Sequence, residues 1–345
     1  MLPSWQNGPV TAEEIEPSPP LTIDRIQAAA KRLTGVAHRT PLLSSATLDQ
    51  QCDGPVLLKA ENFQRSGAFK FRGAYNRLSL LDDHQRAQGV VAYSSGNHGA
   101  AIALAARLLG IHAVVVVPAT GSRAKLAAIE GYGAEMCQYD PGQVDREQVA
   151  AAIAAERGLI IIRPFDDYDI MAGQGTLGLE LVEQAARRGD GPVDQVLVPV
   201  GGGGLAAGVA TAVRALLPGA SVIGVEPAGA DDTRQSFRAG HRVTLARPAT
   251  IADGLLAQQP GELTFAVNSR LLSDVVTVTE EDIVEAMRFC FSRMKIVIEP
   301  SGAAALAALR SGTVAAAGHR TVAVISGGNI APEAFSGLIT GRAQP

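Results

Sequence analysis

The stretch that decides the fold of this chain is residues 195–208, which reads QVLVPVGGGGLAAG. Its apolar first half, with β-branched residues, is typical of a strand buried on both faces of a parallel sheet. Four glycines follow, and an alanine-rich helical segment comes after them. Because glycine has no Cβ, the backbone of residues 201–204 can approach a ligand closely and aim several N–H groups at it. At a helix N-terminus this arrangement predicts an anion cradle, most naturally for phosphate.

Two other interpretations of the glycine run stay open at this point. It can be a strand-to-helix turn without a ligand, although one or two glycines would serve a turn. The spacing Gly202-x-Gly204-x-x-Ala207 also matches the dinucleotide fingerprint, with Glu226 about 20 residues further on as a ribose-binding acid. That match predicts an NAD-dependent oxidoreductase, but it leaves Lys70 and residues 94–99 unexplained.

Apolar runs alternate with alanine-rich segments along most of the chain. This alternation indicates βαβ units and therefore an α/β architecture. In such sheets ligands bind outside the carboxyl ends of the strands. Strands are predicted at 56–60, 89–93, 113–118, 195–200, 221–226 and 321–325, and helices at 73–81, 100–109 and 123–132.

Two further strands end in polar loops. Residues 94–99 read SSGNHG and open a helix. Such a loop can bind a carboxylate through backbone N–H groups while Asn97 donates to a phenolate-type oxygen. The alternative is a Ser/Asn cluster that only caps the helix. The strand at 321–325 ends in residues 326–329, which read SGGN.

Lys70 lies in residues 66–73, which read SGAFKFRG. The chain has 30 Lys plus Arg residues, and only five are lysines. An amine can lose its proton and attack a carbonyl, whereas a guanidinium stays charged. Apolar neighbours such as Phe69 and Phe71 lower the pKa of an amine, which suits a Schiff-base lysine. The alternative is a lysine whose stem packs on these rings while its head reaches water.

Composition excludes several classes of partner. The net charge of -4 argues against a nucleic-acid backbone. No apolar run approaches the roughly 20 residues that span a bilayer. The first 20 residues are polar and acidic, unlike a secretory signal, so a cytoplasmic protein is expected. The three cysteines are far apart and indicate neither a zinc site nor a disulfide framework.

An amine, a phosphate cradle, an asparagine and a terminal serine together describe a pyridoxal-phosphate site. The chain resembles the fold-type II pyridoxal-phosphate enzymes, specifically the threonine/serine dehydratase and serine racemase group. The resemblance implies a tryptophan synthase β-like fold of two domains, with open, mostly parallel twisted sheets flanked by helices. The motifs that carry it occur in the family's order at 58–74, 94–99, 172–176, 201–204, 251–254, 298–303 and 326–329.

The resemblance also assigns roles to residues. Lys70 carries the cofactor and removes the Cα proton, Phe69 lies against the pyridine ring, and Ser326 meets the ring nitrogen. Asn97 bonds the phenolic oxygen. Ser95 lies on the ring face opposite Lys70, where racemases of this group have their second acid/base. The phosphate is held by Gly201, Gly202, Gly203, Gly204 and Leu205, and the substrate carboxylate by Ser94, Ser95, Gly96, Asn97 and His98.

The implied activity is that of an ammonia-lyase, which eliminates water from threonine or serine and releases a 2-oxo acid and ammonia. A serine racemase with dehydratase side activity is the nearest alternative, followed by a hydroxyaspartate or phenylserine dehydratase. A catalytically silent binding protein with the same fold is a further alternative. The family pattern usually has an aliphatic residue at Phe71 and histidine at Arg163, and these departures bear on the substrate side chain.

The resemblance extends to a divalent-cation site and to the domain organisation. Glu226, Asp232 and the carbonyl of Ala230 resemble the family's site for Mg²⁺, Mn²⁺ or Ca²⁺, since these ions prefer oxygen ligands. The alternative is a solvated acidic turn. A homodimer is implied by analogy. The expected organisation is a flexible tail at 1–21, a large cofactor-binding domain at 22–74 and 166–345, and a small domain at 75–165.

Overall fold

The structure, a computed structural model, describes residues 20–94, 96–120 and 123–341. The predicted tail lies outside these residues except for its last two. Within the described part, helices alternate with strands along most of the chain. The strands are β1 (Leu42–Ser44), β2 (Val56–Ala60), β3 (Val90–Tyr93), β4 (Ala113–Pro118), β5 (Glu135–Tyr139), β6 (Ile160–Ile161), β7 (Gln195–Pro199), β8 (Ser221–Pro227), β9 (Asp274–Val278) and β10 (Thr321–Ile325).

The helices connect these strands and cover both faces of the larger sheet. They are α1 (Ile23–Leu33), α2 (Ala46–Gln51), α3 (Lys70–Ser79), α4 (Asp83–Gln88), α5 (Asn97–Leu109), α6 (Arg123–Gly131), α7 (Arg146–Arg157), α8 (Tyr168–Arg188), α9 (Gly204–Leu216), α10 (Asp232–Ala239), α11 (Glu262–Leu271), α12 (Glu280–Phe289), α13 (Pro300–Arg310) and α14 (Pro332–Thr340).

The strands form two sheets. The six-stranded sheet has the order β1-β2-β10-β7-β8-β9, and only β1 runs antiparallel to its neighbour. The four-stranded sheet has the order β5-β4-β3-β6 and is parallel throughout. The α/β class with mostly parallel sheets, predicted from the sequence, is therefore confirmed.

The continuous apolar strands are explained by burial on both faces. Val196 and Val198 of β7 pack against α8 and α9. Leu197, between them, faces the opposite side, where it joins a core with α12 and α13. Because successive strand residues point to opposite faces, a sheet covered on both sides needs apolar residues at every position.

Helix α3 begins at Lys70, three residues before the predicted start at Gly73. Glycine disfavours a helix interior, which is why the sequence pattern placed the boundary there. In the structure Gly73 lies against α8, and a Cβ on Gly173 would come within 2.6 Å of the Gly73 Cα. The glycine is therefore needed for the close crossing of two helices, and Lys70 lies in the first turn of α3.

All strands of the four-stranded sheet fall between residues 90 and 161. This agrees with a separate unit in that part of the chain, while the boundaries at 75 and 165 stay predictions. In the described part of the chain, no helix combines the length and apolar character that crossing a membrane requires.

Candidate active site

One cavity of about 1220 Å³ opens where strands of both sheets end. Loops that follow β3, β7 and β10 contribute to its wall, as expected for ligand sites in parallel sheets. Within the described residues, the cavity brings together every predicted cofactor-binding and substrate-binding residue. These are Phe69, Lys70, Ser94, Gly96, Asn97, His98, Gly201, Gly202, Gly203, Gly204, Leu205 and Ser326. Ser95 lies outside the described residues.

The amine of Lys70 is held in the cavity wall. Its Nζ donates to the backbone carbonyl of Pro164 at 2.8 Å and lies 5.2 Å from the centroid of the Phe69 ring. Burial, together with repulsion from the guanidinium of Arg146, lowers the pKa of Lys70 to about 8. The neutral fraction of the amine at pH 7 is then about a tenth, far more than an ordinary lysine provides, and a neutral amine can attack an aldehyde.

The glycine run is shaped for an anion. α9 begins at Gly204, and within the described residues the backbone N–H groups of Gly202 and Gly203 donate to no other group. The carbonyls of these two glycines face the other way and accept from the Thr264 hydroxyl at 2.7 Å and the Asn268 amide at 3.1 Å. Unpaired N–H groups at a helix N-terminus fit a phosphate.

Packing also requires these glycines. A Cβ on Gly202 would lie 2.3 Å from the ring of Phe165. Gly203 has φ +92°, a left-handed conformation that favours glycine, and a Cβ there would lie 2.7 Å from the Asn268 amide. The interpretation as a simple turn is therefore incomplete, because the loop is packed tightly on one side and presents donors on the other.

Asn97 is the first residue of α5, and its amide has a partner at each end. Nδ2 donates to Oε1 of Glu299 at 2.6 Å, and Oδ1 accepts from Nδ2 of Asn329 at 2.9 Å. Both partners lie in motifs that carry the family resemblance, at 298–303 and 326–329, but the sequence pattern assigns a role to neither. Glu299 immediately precedes α13 and Asn329 follows β10, so no local pattern connects them to Asn97.

Ser326 and His98 are both buried in the cavity wall. The Ser326 hydroxyl donates to the carbonyl of Ser301 at 3.4 Å, which is a long contact. Burial, with repulsion from Lys70, lowers the pKa of His98 to about 3, so its ring is neutral at neutral pH. Its Nδ1 has no hydrogen-bond partner among the described residues. His98 is thus a neutral polar group rather than a cation for the substrate carboxylate.

Several cavity residues were not identified from the sequence. Tyr93, Arg146 and Glu147 line the cavity, and burial and the Glu147 carboxylate raise the pKa of Tyr93. Phe71, by contrast, is fully buried in the core between α3 and α5, and neither it nor Arg163 lines the cavity. The expectation that Phe71 lies beside the substrate is therefore not supported, because the register of α3 directs it away from the cavity.

Glu226 does not have the position of a ribose-binding acid. It is fully buried and does not line the cavity. Its two carboxylate oxygens accept from the backbone N–H groups of Thr233 and Arg234 at 3.0 and 2.8 Å. The dinucleotide interpretation of the glycine run therefore loses the acid on which it depended.

Glu226, Ala230 and Asp232 lie together and are all fully buried. Burial, with the nearby Asp232 carboxylate, raises the pKa of Glu226 well above its ordinary value. Burial, with Asp231, raises the pKa of Asp232 to about 7. Both oxygens of Asp232 have no hydrogen-bond partner among the described residues. Two buried carboxylates, of which Asp232 has both oxygens unpaired among the described residues, fit a hard cation. In the described ranges, however, no group of three or more His, Cys, Asp or Glu is placed to hold a metal.

Comparison with known proteins identifies the family. The family model described as pyridoxal-phosphate dependent enzyme matches residues 33–327. An L-threo-3-hydroxyaspartate ammonia-lyase from Pseudomonas sp. is 45% identical, over 91% of this chain and 97% of the relative. A serine racemase from Schizosaccharomyces pombe is 42% identical, over 92% and 97% of the two chains. A T.th. threonine deaminase of known crystal structure is 44% identical with a TM-score of 0.83, and the match covers 90% of this chain and 99% of that one.

These matches agree with the site. The cradle of N–H groups fits the phosphate of the cofactor, and the amine of Lys70 fits its aldehyde. The chain therefore belongs to the family of pyridoxal-phosphate dependent enzymes, in the group that contains ammonia-lyases and racemases.

Proposed function

We propose that this protein is a pyridoxal-phosphate ammonia-lyase that eliminates water from a β-hydroxy amino acid, with threonine or serine as the first substrates to test. The observation that carries the proposal is the convergence, in one cavity, of three elements. These are the Lys70 amine, the N–H groups of the glycine run and the polar residues Ser94, Asn97 and His98 that follow β3.

The proposal assigns each of these elements a task. Residues 201–205 bind the phosphate, Asn97 donates to the phenolic oxygen and Ser326 meets the ring nitrogen. When bound, the cofactor supplies an electron sink for the bonds at the substrate Cα. A hydroxyl at the ring nitrogen does not force its protonation, which makes the sink mild and favours prompt elimination.

Lys70 has the role of general base at the substrate Cα. Its pKa of about 8 lies closer to neutral pH than that of an ordinary lysine, so a larger share of the amine, about a tenth at pH 7, can accept a proton. The N-terminus of α5, which begins at Asn97, offers backbone N–H groups to the substrate carboxylate. Together these groups orient the Cα–H bond toward the amine.

The substrate panel is the test of this function. Threonine, serine, L-threo-3-hydroxyaspartate and phenylserine are incubated with the holoenzyme, and release of the 2-oxo acid is measured with and without Mg²⁺. We expect oxo-acid release from at least one of the four, and its loss in Lys70→Ala. Absence of any product from all four would contradict the proposal and favour a binding protein.

A serine racemase is the second candidate function. It is favoured by the 42% identical relative of that name and by the resemblance, which implies that Ser95 is the second acid/base. D-serine and pyruvate formed from L-serine are measured in parallel. If racemisation occurs, Ser95→Ala abolishes it and retains elimination, because only racemisation needs an acid on the second face of the ring.

We also propose that Glu226, Asp232 and the Ala230 carbonyl hold a divalent cation, with Mg²⁺ as the first ion to test. The support is that the Glu226 and Asp232 carboxylates are both buried, and that both oxygens of Asp232 have no hydrogen-bond partner among the described residues. A homodimer in the cytoplasm stays a prediction. Light scattering should give twice the mass of one chain, and cell fractionation tests the location.

A further inference from the structure

The amide of Asn97 belongs to a hydrogen-bonded series that begins at a backbone carbonyl and ends at a carboxylate. Nδ2 of Asn329 donates to the carbonyl of Ser66 at 2.6 Å and also to Oδ1 of Asn97 at 2.9 Å. Nδ2 of Asn97 then donates to Oε1 of Glu299 at 2.6 Å. Because a carbonyl and an ionised carboxylate can only accept, the series fixes which end of each amide is the donor.

The backbone around this series leaves room for its side chains. Gly67 has φ +74°, and a Cβ there would lie 2.2 Å from Oδ1 of Asn329. A Cβ on Gly327 would lie 2.1 Å from Oε1 of Glu299. The Gly328 N–H donates to the Gly67 carbonyl at 2.9 Å, which joins the two glycine-containing loops. Both loops are therefore shaped around the Asn329 amide and the Glu299 carboxylate.

The same two loops carry other parts of the active site. Gly67 precedes Lys70 by three residues, and Gly327 directly follows Ser326. The Phe69 N–H donates to the Ser326 carbonyl at 3.0 Å. The series thus connects the loop before α3 and the loop after β10, which pair at Ala68 and Gly327, to the start of α5, which follows β3 of the four-stranded sheet.

Glu299 is suited to the end of this series. Its side chain is 4% exposed and lines the cavity, and Glu299 immediately precedes α13 in the sequence. The N-terminus of α13 is a place where the helix dipole favours negative charge. An ionised acceptor holds the Asn97 donor more strongly than a neutral one does.

We propose that Glu299 and Asn329 are positioning residues, which orient the Asn97 amide so that its second Nδ2 hydrogen is available to the phenolic oxygen of pyridoxal phosphate. The inference rests on the proposed function only in that the cofactor is bound in this cavity with that oxygen at Asn97. It adds two residues that act through Asn97, and it requires no particular substrate.

The first test compares Glu299→Gln and Asn329→Asp with the matched control Asn62→Asp. The Asn62 amide also donates to a backbone carbonyl, that of Val297 at 3.2 Å, but it has no bond to Asn97. Asn329→Asp replaces the donating Nδ2 by a carboxylate oxygen. That oxygen then faces two other acceptors, the Ser66 carbonyl and Oδ1 of Asn97, and can bond to neither. We expect the affinity of this variant for pyridoxal phosphate to fall about tenfold, the effect of losing a well-placed hydrogen bond.

The visible absorption of the bound cofactor is the second readout. We expect the band to change in position or intensity in Glu299→Gln and Asn329→Asp and to be unchanged in Asn62→Asp. Thermal unfolding of the cofactor-free variants shows whether each one folds. If Asn329→Asp does not fold, Asn329→Ala removes the same bonds without opposing two acceptors. Wild-type affinity and an unchanged band in the folded network variants would overturn the inference.

A double-mutant cycle with Asn97→Ala separates positioning from an independent effect. If Glu299 acts through Asn97, Glu299→Gln causes little further loss of cofactor affinity in the Asn97→Ala background. Additive losses would overturn the inference and leave the proposed lyase activity unaffected. A wild-type protein that binds cofactor with the expected network but releases no oxo acid would contradict the lyase proposal alone.

Discussion

At the scale of single residues, Lys70 shows how much of a side chain's pKa can be predicted from its neighbours in the sequence. The sequence predicted a lowered pKa from the flanking phenylalanines. The structure gives that direction, but Phe71 contributes to the core rather than to the cavity. Repulsion from Arg146, which is far along the chain and begins α7, adds to burial. The direction was therefore predictable from residue type, whereas its causes required the neighbours that folding supplies.

The pKa of Lys70 predicts how the cofactor-free protein captures pyridoxal phosphate. Only the neutral amine attacks the aldehyde, so the rate of capture should rise with pH and level off above about 8. An ordinary lysine would continue to gain neutral amine up to its usual pKa of 10.5. Stopped-flow absorbance measures the rate, and Lys70→Arg is the control that captures none. A rate still rising steeply at about pH 10 would contradict the lowered pKa.

At the scale of elements, the strand-turn-helix unit of β7, the glycine run and α9 contains most of the phosphate site. Its existence and type were predictable because an apolar run, four glycines and an alanine-rich segment occur in order. The contact between Gly202 and Phe165 was not predictable, because the two residues are 37 positions apart in the sequence. The glycine is thus needed for packing as well as for binding.

A methyl group at Gly202 should lower both the stability of the fold and the affinity for the cofactor. In Gly202→Ala the Cβ would lie 2.3 Å from the Phe165 ring, so we expect destabilisation of about 1 to 3 kcal/mol and weaker cofactor binding. Gly219→Ala is the matched control, since nothing lies within 4 Å of its Cβ. Chemical denaturation and cofactor titration measure the two effects. Equal stability of the two variants would show that the ring moves aside without cost.

The proposed cation site, formed by Glu226 in β8 and Asp232 at the start of α10, can be tested by adding Mg²⁺. Asp232 is buried without partners among the described residues, so Mg²⁺ should stabilise the protein by neutralising the carboxylates. We expect added Mg²⁺ to raise the Tm of the wild type and to leave the Tm of Asp232→Asn unchanged. Glu285→Gln, which changes an exposed carboxylate, is the control that should respond like the wild type. An equal response in Asp232→Asn would place the ion elsewhere.

At the scale of the whole molecule, the active site is assembled by both sheets. Asn97 and His98 follow β3 of the four-stranded sheet, whereas the glycine run and Ser326 follow β7 and β10 of the six-stranded sheet. A ligand in this cavity contacts groups from both sheets. Its binding free energy therefore stabilises the folded arrangement of the two relative to the unfolded chain.

Cofactor binding should accordingly stabilise the whole chain. At a pyridoxal-phosphate concentration 100 times its Kd, the free energy of unfolding should increase by about 2.7 kcal/mol. Urea denaturation monitored by circular dichroism, with and without cofactor, measures this difference. Lys70→Ala, which lacks the amine, should show a smaller increase at the same concentration. No increase in the wild type would mean that the cofactor does not bind the folded state in preference to the unfolded one.

The sequence by itself determined the α/β class, six of the ten strands in the described part of the chain and the motifs of the site, because these follow from local periodicity and residue type. Only the tertiary structure decided which motifs meet. The bonds from Glu299 and Asn329 to Asn97 each span more than 200 residues. The burial of Phe71 away from the cavity and the placing of Arg146 near Lys70 were likewise decided there. Such contacts depend on how sheets and helices pack in space, and no local pattern of residues encodes which distant parts of the chain come together.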